Sequence, residues 1–396
     1  MLHSLRSLWR TGNGWLLLTI SAGWLVSLGI RIVYPVLLPN IMTEFEIRFT
    51  GAGVLLSALW VAYAMMQFPA GLLADRIGEQ RILLASLVSA MSAVVLILVA
   101  PAFWVFVGAT ILLGAGTGLY GPSRVTVLSD IFPDHQNTAV SFSQAAGNAG
   151  NAVLPIAAGI ISVLLGWRYG FGYFVPAFLL VIVGVVRYVP TRTSVAPENV
   201  SGTAYLHDLK RSLNDRTVCY AAGIMFCILF YYQGITGFLP TYLIEVKGLQ
   251  QSVVSVIYGS FFAVAIGLQF LAGAVADRYN ERRAISLFVI PGAVGAVGLP
   301  FVGSDWAVIS LVLLSASILG AIPPANTNIV LQLPESLQGS GYGLLRSLYI
   351  GLGATAPPLV GYLGDMGAFD AGVFLLGVVA LGSVIGCYRM TRFNMS

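Results

Sequence analysis

The stretch Gly71-Leu72-Leu73-Ala74-Asp75-Arg76-Ile77-Gly78-Glu79-Gln80-Arg81 joins two long apolar blocks. Further along, Gly273-Ala274-Val275-Ala276-Asp277-Arg278-Tyr279-Asn280-Glu281-Arg282-Arg283 does the same. Asp75 and Asp277 lie 202 residues apart. The same offset relates Pro122 to Pro324, Pro155 to Pro357 and Gly159 to Gly361. Within one residue it also relates Pro39 to Pro240 and the pair Pro133-Asp134 to Pro334-Glu335. One matched proline is chance, but a register held through half the chain is a duplication.

Outward from these loops the chain alternates between apolar blocks and short polar connections. Of its 396 residues 57% are hydrophobic and 9% charged, against about 25% charged in an ordinary soluble domain. Too few charges remain to cover a water-facing surface, and the blocks have the length of bilayer-crossing helices. The blocks predict twelve spans near 14–39, 51–74, 82–100, 103–129, 138–164, 169–186, 217–241, 252–276, 284–302, 306–333, 340–363 and 367–388. The first has no small-residue cleavage site and reads as an anchor rather than a leader. The polar stretch 191–216 separates residues 1–190 from 217–396, giving two bundles of six spans and a linker. The expected fold class is an all-α membrane protein.

With the N-terminus in the cytoplasm, fourteen Lys and Arg fall on the cytoplasmic side and only Arg48, Arg168 and Lys247 on the other. That asymmetry places both termini and the linker in the cytoplasm. It also accounts for the net charge of +4 without a nucleic-acid partner. The three cysteines have no metal or redox spacing. His3, His135 and His207 all lie outside the blocks, which leaves no intramembrane imidazole for a metal or haem. No cofactor is expected.

The paired loop motif, the 6 + 6 layout, the linker and Gly166-Trp167-Arg168 between spans 5 and 6 resemble the major facilitator superfamily. The resemblance covers essentially the whole chain. It implies two bundles related by a pseudo-two-fold axis along the membrane normal, a site between the halves, and transport by alternating access. It also implies a protein of the cell membrane that works as a monomer. Two departures stand out: Asn280 replaces the motif glycine present at Gly78, and Glu79-Gln80 replaces the usual basic pair.

Gly78 supplies a permissive backbone for the turn between spans 2 and 3. By the resemblance, Asp75 faces the start of span 11 near Gly339 to Gly343, where free N–H groups favour an anion. Arg76 and Arg81 would reach Asp130 or Asp134, and Arg278, Arg282 or Arg283 would face Glu335. Asp75, Arg76, Arg81, Asp130, Asp277, Arg278, Glu335 and Arg346 are thus the expected gating residues. The alternative is that such charges merely anchor loops in the headgroups.

Charges inside spans are costly and mark function by default. Arg31, Arg124 and Arg346 lie in spans 1, 4 and 11, and no mid-span Asp or Glu neutralises them. By the resemblance spans 1, 4, 7 and 10 line the cavity. Arg31 and Arg124 are therefore candidate substrate ligands, with Tyr34 and Tyr120 beside them. The repeat offset adds Tyr232 or Gln233 and Asn326 in the second half. Arg31 could instead cap carbonyls freed by Pro35 or Pro39, and Arg124 the carbonyl freed by Pro122.

A positive lining without fixed counter-charge attracts an anion. The leading expectation is a secondary transporter of a small organic anion, a carboxylate or phosphate ester, coupled to protons or sodium or to neither. A multidrug or metabolite exporter is the alternative, although the missing mid-span acid counts against a cationic substrate. A membrane enzyme or receptor finds no catalytic cluster in the sequence.

Overall fold

The computed structural model describes residues 13–191, 215–333 and 340–393, and every regular element among the described residues is helical. In lipid each backbone polar group must be satisfied within its own segment, and a helix does that. The first half holds α1 (Gly14–Phe45), α2 (Phe49–Ile77), α3 (Glu79–Val99), α4 (Phe103–Ile131), α5 (Gln136–Leu165), α6 (Tyr169–Gly172) and α7 (Phe174–Tyr188). The second half opens with α8 (Arg216–Glu245), α9 (Gln251–Arg278), α10 (Glu281–Gly298), α11 (Asp305–Ser315), α12 (Ser317–Gly320) and α13 (Ile322–Gln332). It closes with α14 (Ser340–Gly353), α15 (Ala356–Asp365) and α16 (Phe369–Phe393).

Among the described residues eleven helical stretches are long and apolar enough to cross a membrane. The remaining expected span, 340–363, is present as α14 and α15. It breaks at Ala354-Thr355, because Pro357 and Pro358 cannot donate back to Gly353 and Ala354. Other helices continue through a proline, and at Pro122, Pro240 and Pro358 a side chain from a neighbour bonds the carbonyl that the proline frees. Gln67 Nε2 donates to Gly118 O at 3.2 Å, four residues before Pro122. Tyr258 Oη donates to Thr236 O at 2.6 Å, four residues before Pro240. Ser57 Oγ donates to Ala354 O, four residues before Pro358.

The two halves of the repeat turn by different means. Gly78 has φ 88°, which only glycine adopts cheaply, as the sequence predicts. Asn280 has extended backbone at φ 178°, so no glycine is needed there, and its Oδ1 caps α10 by accepting the Arg283 N–H at 2.8 Å. On the opposite face of the first half, Trp167 Nε1 and the Arg168 guanidinium both donate to the Glu44 carboxylate at the end of α1. Arg168 also donates to the carbonyls of Ile97, Leu98 and Ala100 at 3.1–3.3 Å, closing the C-terminus of α3.

The described chain forms two compact units. One comprises α1 with the chain from Ala58 to the end of α7; the other comprises Glu46–Ser57 with α8 to α16. The sequence expectation, a division near residue 190, differs over Glu46–Ser57. The physical reason lies at α15. Asp365 accepts the N–H groups of Phe49 at 2.9 Å and Thr50 at 3.0 Å, together with the Thr50 hydroxyl, so a residue of the second half caps α2. Within the first unit α1 lies along α5 and α3 along α4. Gly150 makes the α1–α5 approach possible, since a Cβ there would come within 2.4 Å of the Leu25 carbonyl oxygen.

Candidate functional site

In the first unit Arg31 lies mid-way along α1 and is only 4% exposed. Its Nε donates to the Ser27 carbonyl one turn back at 3.1 Å. Two rings of α2 flank the guanidinium, with Tyr63 centred 4.0 Å and Trp60 5.2 Å from its central carbon. Stacking stabilises the charge without neutralising it. Among the described residues no carboxylate pairs with Arg31, and no acceptor meets its terminal nitrogens. Pro35 and Pro39 free the carbonyls of residues 31 and 35, so the Ser27 contact is not a proline cap. On the same face of α1, at i−7 and i−4, Trp24 Nε1 and Ser27 Oγ are buried and without partners among the described residues.

Arg124 is 5% exposed and anchored within the same unit. Its terminal nitrogens donate to Ser143 Oγ at 3.0 Å and Gln144 Oε1 at 3.2 Å, and its guanidinium lies 4.2 Å over the Trp24 ring. Gln144 in turn donates to Asn148 Oδ1 at 3.2 Å. The carbonyl freed by Pro122 is that of Gly118, and Gln67 rather than Arg124 donates to it, so the capping alternative is filled by another side chain. Trp24 is thus a platform, with Arg124 over its face and Tyr120 stacked at 6.2 Å and 12°.

The tyrosines offered by sequence are helix ties. Tyr34 is fully buried, its hydroxyl 3.0 Å from Thr110 Oγ1 and its ring edge-on to Phe171 at 4.8 Å. Tyr120 is fully buried and donates to the Ile20 carbonyl at 3.0 Å. Both hydroxyls are engaged between α1 and α4.

In the second unit Gln233 is likewise fully buried, its Nε2 donating to Ile350 O at 2.9 Å. Tyr232, beside it, is half-buried. Asn326 has a different setting. Its Oδ1 accepts hydrogen bonds from Tyr342 Oη at 2.8 Å and Tyr349 Oη at 3.3 Å, both on α14. Tyr342, Arg346 and Tyr349 follow at i, i+4 and i+7, so the arginine shares the face of α14 that meets Asn326. Sequence reasoning singled out Asn326 and Arg346 but missed both tyrosines, as it missed Ser143 and Gln144. The helical spacing of 342, 346 and 349 was the available signal.

Of the expected gating residues, Arg76, Arg81, Asp130, Asp277 and Arg278 are exposed at helix ends. Arg278 stacks on Tyr279 with its central carbon 5.6 Å from the ring centre. Arg346 is half-buried. The side chain of Asp75 and all of Glu335 lie outside the described residues, and with them the contacts expected of that aspartate and of that glutamate.

A sequence model of the Major Facilitator Superfamily matches residues 19–357. The phosphoglycerate transporter protein of Salmonella typhimurium is 24% identical, covering 95% of this chain and 88% of its own length. The fosmidomycin resistance protein of Escherichia coli is 23% identical over 83% of this chain and 80% of its own. The glycerol-3-phosphate transporter of Bacillus subtilis is 24% identical over 83% and 81%. Among solved structures, a bacterial homologue of the human lysosomal transporter Spinster superposes with a TM-score of 0.79. It covers 96% of this chain and 97% of its own at 13% identity, a likeness of fold alone.

Proposed function

The chain belongs to the major facilitator superfamily, and on that premise we propose a secondary active transporter that moves a small organic anion, a carboxylate or a phosphate ester, by alternating access. Its work is transport rather than catalysis. The observation that carries the anion assignment is Arg31: a buried guanidinium held by two aromatic rings, with no carboxylate against it among the described residues. A buried charge left without a fixed partner is costly, and a bound anion removes that cost. Two of the relatives carry phosphoglycerate and glycerol-3-phosphate by name, which supports the same class.

Within this reading Arg31 binds the anionic group, while Trp24 Nε1 and Ser27 Oγ offer neutral contacts on the same face. Arg124, fixed by Ser143 and Gln144, sets the Trp24 plane. Within the second unit, Asn326 with Tyr342 and Tyr349 forms a polar cluster of its own. The exposed motif charges, with Asp75 and Glu335, regulate closure. Coupling to a proton or sodium ion belongs to the proposal, as do placement in the cytoplasmic membrane with both termini inside and a monomeric state.

A thermal-shift screen of the purified protein against organic anions, repeated on Arg31→Ala and Arg31→Lys, tests the assignment. One anion class should stabilise the wild type and fail to stabilise Arg31→Ala, with partial rescue by lysine. Equal stabilisation of wild type and Arg31→Ala would remove Arg31 from the site. A response only to lipophilic cations would favour the drug-export reading, to which the fosmidomycin-resistance relative lends weight.

A further inference from the structure

The second unit carries a groove beside its loop motif, distinct from the setting of Arg31. It is a cavity of about 680 Å³ between the start of α10 and the ends of α13 and α16. Arg282 and Arg283 stand in the first turn of α10 and line it. Arg282 is half-buried and lies within electrostatic reach of the buried Cys387, also on the groove wall. Glu281 lines the groove too, yet among the described residues it pairs with neither arginine. The positive end of the α10 dipole adds to the two guanidiniums.

Below this charged rim the walls become apolar and face outward. Leu287 is 58% exposed, Ile290 47% and Tyr388 58%, and all three line the cavity. From Arg282 to Ile290 is about 12 Å along the helix at 1.5 Å per residue. Charge at the rim with a hydrocarbon-facing wall beneath matches a phospholipid, headgroup above and acyl chain below. The wall also holds Asn328, 2% exposed. The partner of its amide is Met390 Sδ at 3.9 Å, a weak acceptor, and its Oδ1 accepts nothing among the described residues. That oxygen suits a headgroup hydroxyl.

We propose that this groove is a binding site for an anionic phospholipid of the cytoplasmic leaflet, its phosphate on Arg282 and Arg283 and one acyl chain along Leu287, Ile290 and Tyr388. The proposal rests on the cytoplasmic placement of the start of α10 given by the Lys and Arg count. Basic pockets on the cytoplasmic side of membrane helices are recognised lipid sites. A soluble phosphate would have no use for the apolar wall.

Native mass spectrometry of the delipidated full-length protein, titrated with phosphatidylglycerol or phosphatidylcholine, tests the site. The wild type should retain one phosphatidylglycerol preferentially, and the double variant Arg282→Gln/Arg283→Gln should bind it about tenfold more weakly. Ser286→Trp, which fills the groove and keeps both arginines, should also lose the lipid, whereas Arg187→Gln, at another helix end, should keep it. Equal retention in the double variant, equal binding of phosphatidylcholine, or displacement by millimolar inorganic phosphate would each overturn the proposal. The anion response that depends on Arg31 is read separately, so failure of one reading leaves the other standing.

Discussion

At Gly150 two backbones of the first unit pack with no room for a side chain. The atom that an added methyl would strike is the carbonyl oxygen of Leu25, which cannot rotate away as a side chain could. Gly150→Ala should therefore destabilise the protein by about 1–3 kcal/mol, the usual cost of overpacking, read as a lower melting temperature. Gly108→Ala meets nothing within 4 Å and should melt with the wild type. Arg31 and Arg124 were legible in the sequence as uncompensated charges within apolar blocks. What held them was not. Tyr63 and Trp60 lie a whole helix away from Arg31, and Ser143 and Gln144 lie on α5, so their meeting is a matter of tertiary packing. Tyr34 and Tyr120 stand out by helical spacing and Gln233 by the repeat offset, and neither signal can reveal that Thr110, Ile20 and Ile350 already engage them.

At the scale of the element, α2 begins with a cap supplied by another helix. Partial burial of Asp365 opposes its charge, but the Thr50 hydroxyl and the N–H groups of Thr50 and Phe49 outweigh it, helped by Arg48, and hold the carboxyl below the usual carboxylate range. A depressed carboxyl contributes stability that is present above its unfolded pKa, about 3.9, and lost as pH falls through the lower folded value. Asp365→Ala should cost about 1 kcal/mol at neutral pH, as loss of a helix cap does. It should also flatten the melting temperature against pH below about 4, where the wild type falls. A wild-type profile that tracks the variant throughout would exclude the cap. The eleventh span shows where element-level reading ran out. Its apolar content predicted one helix, but adjacent prolines at 357 and 358 divide it, and Ser57 receives the carbonyl they strand. The single prolines in α4 and α8 are bridged by Gln67 and Tyr258 instead, and no local pattern distinguishes these outcomes.

For the molecule as a whole, the twelve-span fold was legible because lipid imposes one period and one length on every segment, and the repeat offset confirmed the count. Orientation rests on charge alone and has a direct test. With Cys219, Cys227 and Cys387 replaced by serine, a single cysteine at Ser304 should react with a membrane-impermeant maleimide added outside intact cells. One at Thr191 should react only after the cells are opened. The reverse pattern would invert the topology, and with it the leaflet assigned to the groove at Arg282.

The stacking of Arg31 on Trp60 and Tyr63 also bears on how the chain is made. The first helix leaves the ribosome carrying a guanidinium that costs about 2.5–3.5 kcal/mol at the centre of an isolated segment entering the bilayer. The rings that receive it belong to the next segment and have not yet been synthesised. Release of the first segment into lipid therefore gains from waiting for its successor, so that the two partition as a hairpin. Disruption of Trp60 or Tyr63 would then register as lost insertion yield before any mature molecule exists.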